Sequence, residues 1–140
     1  MSSKGQLTGM RGVYLVASEL CRIGLIASPT SRSAISADIL ATDQECMNTY
    51  SVQVKTNAST FNFWLLNKKS KTLVSDNLIY VLVNIRNKKT GEEIEYFIVP
   101  SRVIAEKMQS AVQGKKGSEW HSFDYKNALP FKDKWGLFKT

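Results

Sequence analysis

Asp38, Gln53 and Lys55 are the residues whose types and spacing could do chemistry. Asp38 stands in the short apolar run Ala37-Asp38-Ile39-Leu40-Ala41. Gln53-Val54-Lys55 begins 15 residues later, within Tyr50-Ser51-Val52-Gln53-Val54-Lys55. A span of that length suits two neighbouring strands joined by a loop. Antiparallel pairing that sets Asp38 beside Gln53 and Lys55 would put all three side chains on one sheet face. A carboxylate and an amide oxygen there could hold a hard cation, with an ammonium close by. Mg²⁺, or Mn²⁺ in its place, favours such a site, taking one or two carboxylates plus water and substrate phosphates. The metal would neutralise a phosphate and acidify a bound water, while the lysine would orient that water or stabilise developing charge. Spacing alone also admits a plainer reading, a turn aspartate beside a solvated Gln/Lys face.

Competing chemistries are poorly supported. Cys21 and Cys46 stand 25 apart with no CxxC, so neither a zinc knuckle nor a disulfide framework is indicated. A single histidine, His121, cannot build a poly-His metal site, and its neighbours Ser118, Ser122 and Asp124 lack a nucleophile-elbow motif. No Walker loop and no GxGxxG occurs, so a nucleotide cofactor is not supported.

Several elements must position the three residues. Thr8 can cap a helix over 9–23, with Met10, Val13, Tyr14, Ala17, Leu20 and Cys21 on one apolar stripe and Gly24 at its end. That stripe predicts Cys21 to be packed in the core. Leu25-Ile26-Ala27 makes a strand, 28–36 a loop, 37–41 a second strand and 50–55 a third with good alternation. Phe61 to Leu65 is extended, and 68–77 is a basic loop. Leu78 to Arg86 has the continuous apolar pattern of a strand buried on both faces. The turn at 87–91 and the run from Ile94 to Val99 complete a hairpin. Ser101 can cap a helix reaching Val112, and Gly114 to Gly117 reads as a break. The tail over 113–140, with Trp120, Phe123, Tyr125, Phe131, Trp135 and Phe138, is too aromatic to float and is expected to pack on the body. The sum is one domain over 1–140, α/β or α+β, with a mixed central β-sheet flanked by helices.

With these elements placed, the chain resembles the PD-(D/E)XK nuclease superfamily, in its small prokaryotic, Holliday-junction-resolvase-like branch. The resemblance covers roughly residues 7 to 108. It rests on Gly9-x-x-Gly12-Val13-Tyr14-Leu15-Val16-Ala17-Ser18-Glu19-Leu20, Gly24-Leu25-Ile26-Ala27-Ser28-Pro29, Ala37-Asp38-Ile39-Leu40-Ala41 and Val52-Gln53-Val54-Lys55, with Tyr80 to Val83 and Tyr96 to Ser101 following. It implies a restriction-endonuclease-like core and a metal-dependent endonuclease acting on DNA. Asp38 would bind Mg²⁺ or Mn²⁺, Gln53 would complete the shell through its side-chain oxygen, the Val54 carbonyl would be a further ligand, and Lys55 would act on the attacking water. By the same analogy a homodimer would suit a two-strand cut. Two departures stand out. The family's first-helix glutamate, next after the second glycine, is Val13 here, and Glu19 lies about 240° further round the helix. Gln53 replaces an Asp or Glu. One carboxylate holds Mg²⁺ weakly unless DNA phosphates help, so the alternative is an inactive nuclease-fold module that binds nucleic acid or a partner.

Charge agrees with an anionic partner. The chain has 140 residues, 19 Lys plus Arg against 12 Asp plus Glu, and a net charge of +7. Lys68, Lys69 and Lys71 cluster in one loop, Lys88 and Lys89 in the hairpin turn, and Lys115 and Lys116 in a third segment. Beside Lys55 they would form a phosphate groove. Phe63 and Trp64 could stack on bases, although aromatic residues in an apolar strand usually belong to a core. The N-terminal residues carry no apolar secretory segment, and Val13 to Ala27 is too short to cross a bilayer, so a cytoplasmic, reduced setting is expected.

Overall fold

The computed structural model describes residues 3–31, 37–58, 61–113 and 117–140. Lys115 and Lys116 lie outside them. The first helix, α1 (Lys4–Arg22), starts earlier than the Thr8 cap predicts, because Ser3 and Gln6 form a capping box. Ser3 Oγ accepts from the Gln6 N–H at 3.2 Å, and Gln6 Oε1 accepts from the Ser3 N–H at 2.9 Å. Gly12, Val16 and Leu20 are its buried line. The stripe read from sequence is therefore rotated, leaving Cys21 exposed instead of packed.

Five strands make the main sheet in the order β1 (Ile26–Pro29), β2 (Ile39–Thr42), β3 (Thr49–Asn57), β5 (Leu78–Lys88), β6 (Gly91–Pro100). The β1–β2, β2–β3 and β5–β6 pairs are antiparallel, whereas β3–β5 is parallel. The sheet is thus mixed, as the sequence pattern predicts. Leu78 to Ile85 are all buried, which a strand covered on both faces requires. Gly91, with φ +119°, turns the β5–β6 hairpin.

The connection from β3 to β5 contributes β4 (Phe63–Leu66) to a second sheet, ordered β4-β8-β7, with β7 at Gln109–Gln113 and β8 at Ser118–Asp124. Sequence periodicity predicts helix as far as Val112, but α2 (Ser101–Lys107) stops at Met108, whose backbone is extended. Ala111 and Val112 instead pair with Trp120 and Glu119, so strand pairing overrides the helical spacing. Ser101 does not cap α2. Its hydroxyl donates to the Ser75 carbonyl at 2.8 Å and accepts from the Ser75 N–H at 3.0 Å.

Two cores result. Beneath α1, Val16, Leu20, Ile39, Val52, Val54, Val81, Val83 and Ile98 pack together, and Phe138 meets Tyr50 edge-on at 5.1 Å. On the other face, Trp64, Leu82, Phe97, Val99, Ile104 and Phe123 are buried between the main sheet, the small sheet and α2. No helix among the described residues is long and apolar enough to cross a membrane.

Candidate functional site

Strand β3 alternates strictly. Tyr50, Val52 and Val54 face α1, and Gln53 and Lys55 face the second core. Its backbone polar groups alternate as well. The Ser51 N–H donates to the Asn77 carbonyl ahead of β5, while the Val52 carbonyl accepts from the Asp38 N–H at 2.9 Å. Even-numbered residues therefore turn their N–H and C=O towards β2. Asp38 occupies the bend before β2, and its Oδ2 accepts from the Val54 N–H at 2.8 Å. By the same alternation the Val54 carbonyl points to the Asp38 side of the strand. The carboxylate is thus fixed against the peptide between Gln53 and Lys55.

The three side chains open on three different spaces, so they do not all share the one sheet face that their spacing suggests, because Asp38 sits in a bend rather than in the strand. Asp38 and Val54 line a cleft of about 560 Å³ with Gly9, Met10, Val13 and Tyr14 of α1 and Thr30 at the end of β1. Gln53 lines a small recess with Lys69, Ser70 and Tyr80, and the Tyr80 hydroxyl donates to Ser70 Oγ at 3.0 Å. Lys55 lines a third space, of about 350 Å³, with Thr56, Asn57, Phe61, Phe63, Trp64, Leu65 and Trp120. Burial holds the Lys55 ammonium below the ordinary lysine value, and the Asp38 carboxylate is near enough to pull it back up. No direct ion pair to Lys55 exists among the described residues.

Two hard oxygen donors therefore lie together at Asp38, its own carboxylate and the Val54 carbonyl, while the Gln53 amide opens on its separate recess. That set fits Mg²⁺ or Mn²⁺ when water and phosphate fill the remaining positions. No group of three or more His, Cys, Asp or Glu converges among the described residues. Val13 lies in the Asp38 cleft, so the position that the resemblance gives to a glutamate reaches the site but brings no charge.

A solved structure of a bacterial homing endonuclease, I-Ssp6803I, superposes on this chain with a TM-score of 0.55. The match covers 98% of this chain and 91% of that one, at 16% identity. The two chains share a fold. No protein-family model matches the sequence, and no curated protein matches it.

The basic clusters separate. The 3-10 turn Lys68–Lys71 packs by the Gln53 recess, with Lys69 in its wall. Lys88 and Lys89 sit at the hairpin tip, six residues beyond the Leu82 that pairs with Lys55, roughly 20 Å along the strand. Lys88 is also neutralised by an ion pair with Glu93. His121 meets Ser110 Oγ across the β7–β8 ladder at 2.8 Å, while Asp124 accepts from Gln109 Nε2 at 3.0 Å, so no Ser-His-Asp relay forms. Phe63 and Trp64 part company: Trp64 is in the core, donating to the Val83 carbonyl at 3.0 Å, and Phe63 lies on the opposite face of β4. Sequence reasoning missed Phe61 and Trp120 as neighbours of Lys55. The signal was the apolar residues at both alternations of Phe63-Trp64-Leu65-Leu66, of which a half-buried strand needs only one set.

Proposed function

We propose that this protein is a metal-dependent nuclease of the PD-(D/E)XK type that hydrolyses DNA phosphodiester bonds at Asp38, Gln53 and Lys55. The observation that carries the reading is the Asp38 carboxylate docked on the Val54 N–H, in the peptide between an amide and a half-buried ammonium. Asp38 and the Val54 carbonyl would hold Mg²⁺ or Mn²⁺, with Gln53 completing the shell by turning its amide out of its recess, and the ion when bound supplies charge neutralisation and an acidified water. Among the described residues the strand engages Asp38 through Oδ2, and Oδ1 would serve for ligation. Lys55, with its solvation already reduced, orients the attacking water and stabilises charge developing on the phosphate. Lys68, Lys69 and Lys71 bind the flanking backbone.

Incubation of supercoiled plasmid and branched DNA with Mg²⁺ or Mn²⁺, with EDTA and Asp38→Asn as controls, tests the assignment. Cutting is expected with the metal and in neither control; cutting that persists in EDTA would remove the metal from the account. Binding in EDTA should weaken steeply with salt. Replacing Lys68, Lys69 and Lys71 together by alanine should reduce the slope of log K against log salt by about three units if each neutralises one phosphate. Lys88→Ala should change it less, since Glu93 already shares that charge. An unchanged slope in the triple variant would place the phosphate contacts elsewhere.

Val13 in the cleft favours a second reading, a nuclease fold that binds DNA without cutting it. The plasmid experiment separates the two, since salt-sensitive binding without cutting supports only the second.

A further inference from the structure

We infer that the space over Lys55 is a stacking site for an unpaired nucleobase, which makes single-stranded or bulged DNA the substrate class. This deepens the nuclease reading and rests on it for the word substrate, but the binding claim has its own evidence. Strand β4 buries Trp64 and Leu66, yet its other face carries Phe63 and Leu65, with Leu65 55% exposed. Phe61 is 58% exposed and Trp120, across the small sheet, 42%. Isolated apolar residues on a surface are ordinary, but here four of them line one cavity whose charged member is Lys55. Phe61 and Phe63 lie 5.4 Å apart, tilted by 33°.

The backbone beneath these rings is fixed by polar contacts. Asn57 Nδ2 donates to the carbonyls of Phe61 at 3.0 Å and Phe63 at 3.2 Å, and Arg86 Nη2 donates to the Phe61 carbonyl at 3.0 Å. Asn57 is itself buried on β3, two residues after Lys55. The aromatic wall is thereby preorganised with respect to the candidate catalytic strand, which reduces the ordering cost of binding.

The occupant follows from the mixture of rings and one ammonium. A base presents a π-face to the rings while its phosphate meets Lys55, and every base has such a face, so the site need not read sequence. A paired base is stacked within its duplex and cannot enter without being extruded, so the site selects strands that are already open. The chain's net charge of +7 opposes a second copy as occupant and favours a polyanion.

The test is equilibrium binding in EDTA, so that it is independent of cutting. The probes are a single-stranded oligonucleotide and a duplex with one bulged 2-aminopurine, against a fully paired duplex of the same length. Preference for the open probes of roughly tenfold is expected, with quenching of the 2-aminopurine, and Trp120→Ala and Phe61→Ala should each reduce both. Both residues are surface-exposed, and circular dichroism of the variants checks their fold. Equal affinity for open and paired probes would overturn the inference, as would a preference unchanged in both variants. Self-association that Trp120→Ala abolishes, with no 2-aminopurine quenching, would assign the surface to a second copy and overturn it too. A stacking preference without any cutting would leave the inference standing and remove the catalytic reading.

Discussion

Lys55→Ala is expected to lower metal-dependent cutting by roughly 10²–10³-fold, the usual loss when one stabiliser of transition-state charge is removed. DNA binding in EDTA should survive, losing at most the roughly one unit of salt slope that a single phosphate contact supplies. The two readouts separate a group acting on the reaction from one holding the fold or the DNA. Undiminished cutting by Lys55→Ala would sink the nuclease assignment at this site.

The same lysine predicts an effect on stability of the opposite sign. Its ammonium is half-buried, its nearest carboxylate acts only at a distance, and burial lowers its pKa. A group of this kind destabilises the fold while it is charged. Lys55→Met keeps the length and apolar bulk, so the variant should melt a few degrees higher at neutral pH, on the order of 1 kcal/mol. The sign with pH follows from proton counting. Between the folded pKa and the ordinary lysine value of 10.5 the unfolded chain binds more protons than the folded one. Stability of the native protein therefore rises with pH across that window, and the advantage of Lys55→Met shrinks. A lower melting temperature for Lys55→Met at neutral pH would mark Lys55 as structural.

Much of the main sheet was legible because its signals are local or periodic. The apolar run from Leu78 gives β5, alternation gives β3, and the turn before Ile94 gives the hairpin. Asp38, Gln53 and Lys55 could be proposed as neighbours from strand spacing, and the register does set Asp38 against β3. What alternation could not supply is the bend at Asp38, which sends its side chain towards α1 while Gln53 and Lys55 face the second core. The small sheet was illegible for a different reason. Ala111 and Val112 continue a helical spacing from Val103, and only long-range pairing with β8 makes them strand. Phe61 and Trp120 meet at Lys55 through the pairing of β8 with β4, across a separation that no window of sequence spans.

Gly12→Ala should do more damage than any other single methyl group near the site. A Cβ at that position would lie 1.7 Å from Thr56 Oγ1, 2.9 Å from its Cβ and 3.1 Å from its Cγ2, so α1 and β3 cannot both stay in place. The expected loss is about 3 kcal/mol, at the upper end for overpacking, equivalent to roughly 10 °C in Tm for a chain of this length. Cutting should fall with it, because Val13 is the next residue and lines the cleft at Asp38. Thr56→Ala alone should be nearly neutral, within about 1 kcal/mol, since it removes a buried hydroxyl that has no hydrogen-bond partner among the described residues. In the double variant the 1.7 Å and 3.1 Å contacts disappear and the 2.9 Å contact remains, so the substitutions should be strongly non-additive and stability only partly restored. Additive losses in that cycle would show that Gly12 is required by the helix itself. Non-additive losses would establish the close approach of α1 to β3 as the contact that holds the Asp38 cleft in shape.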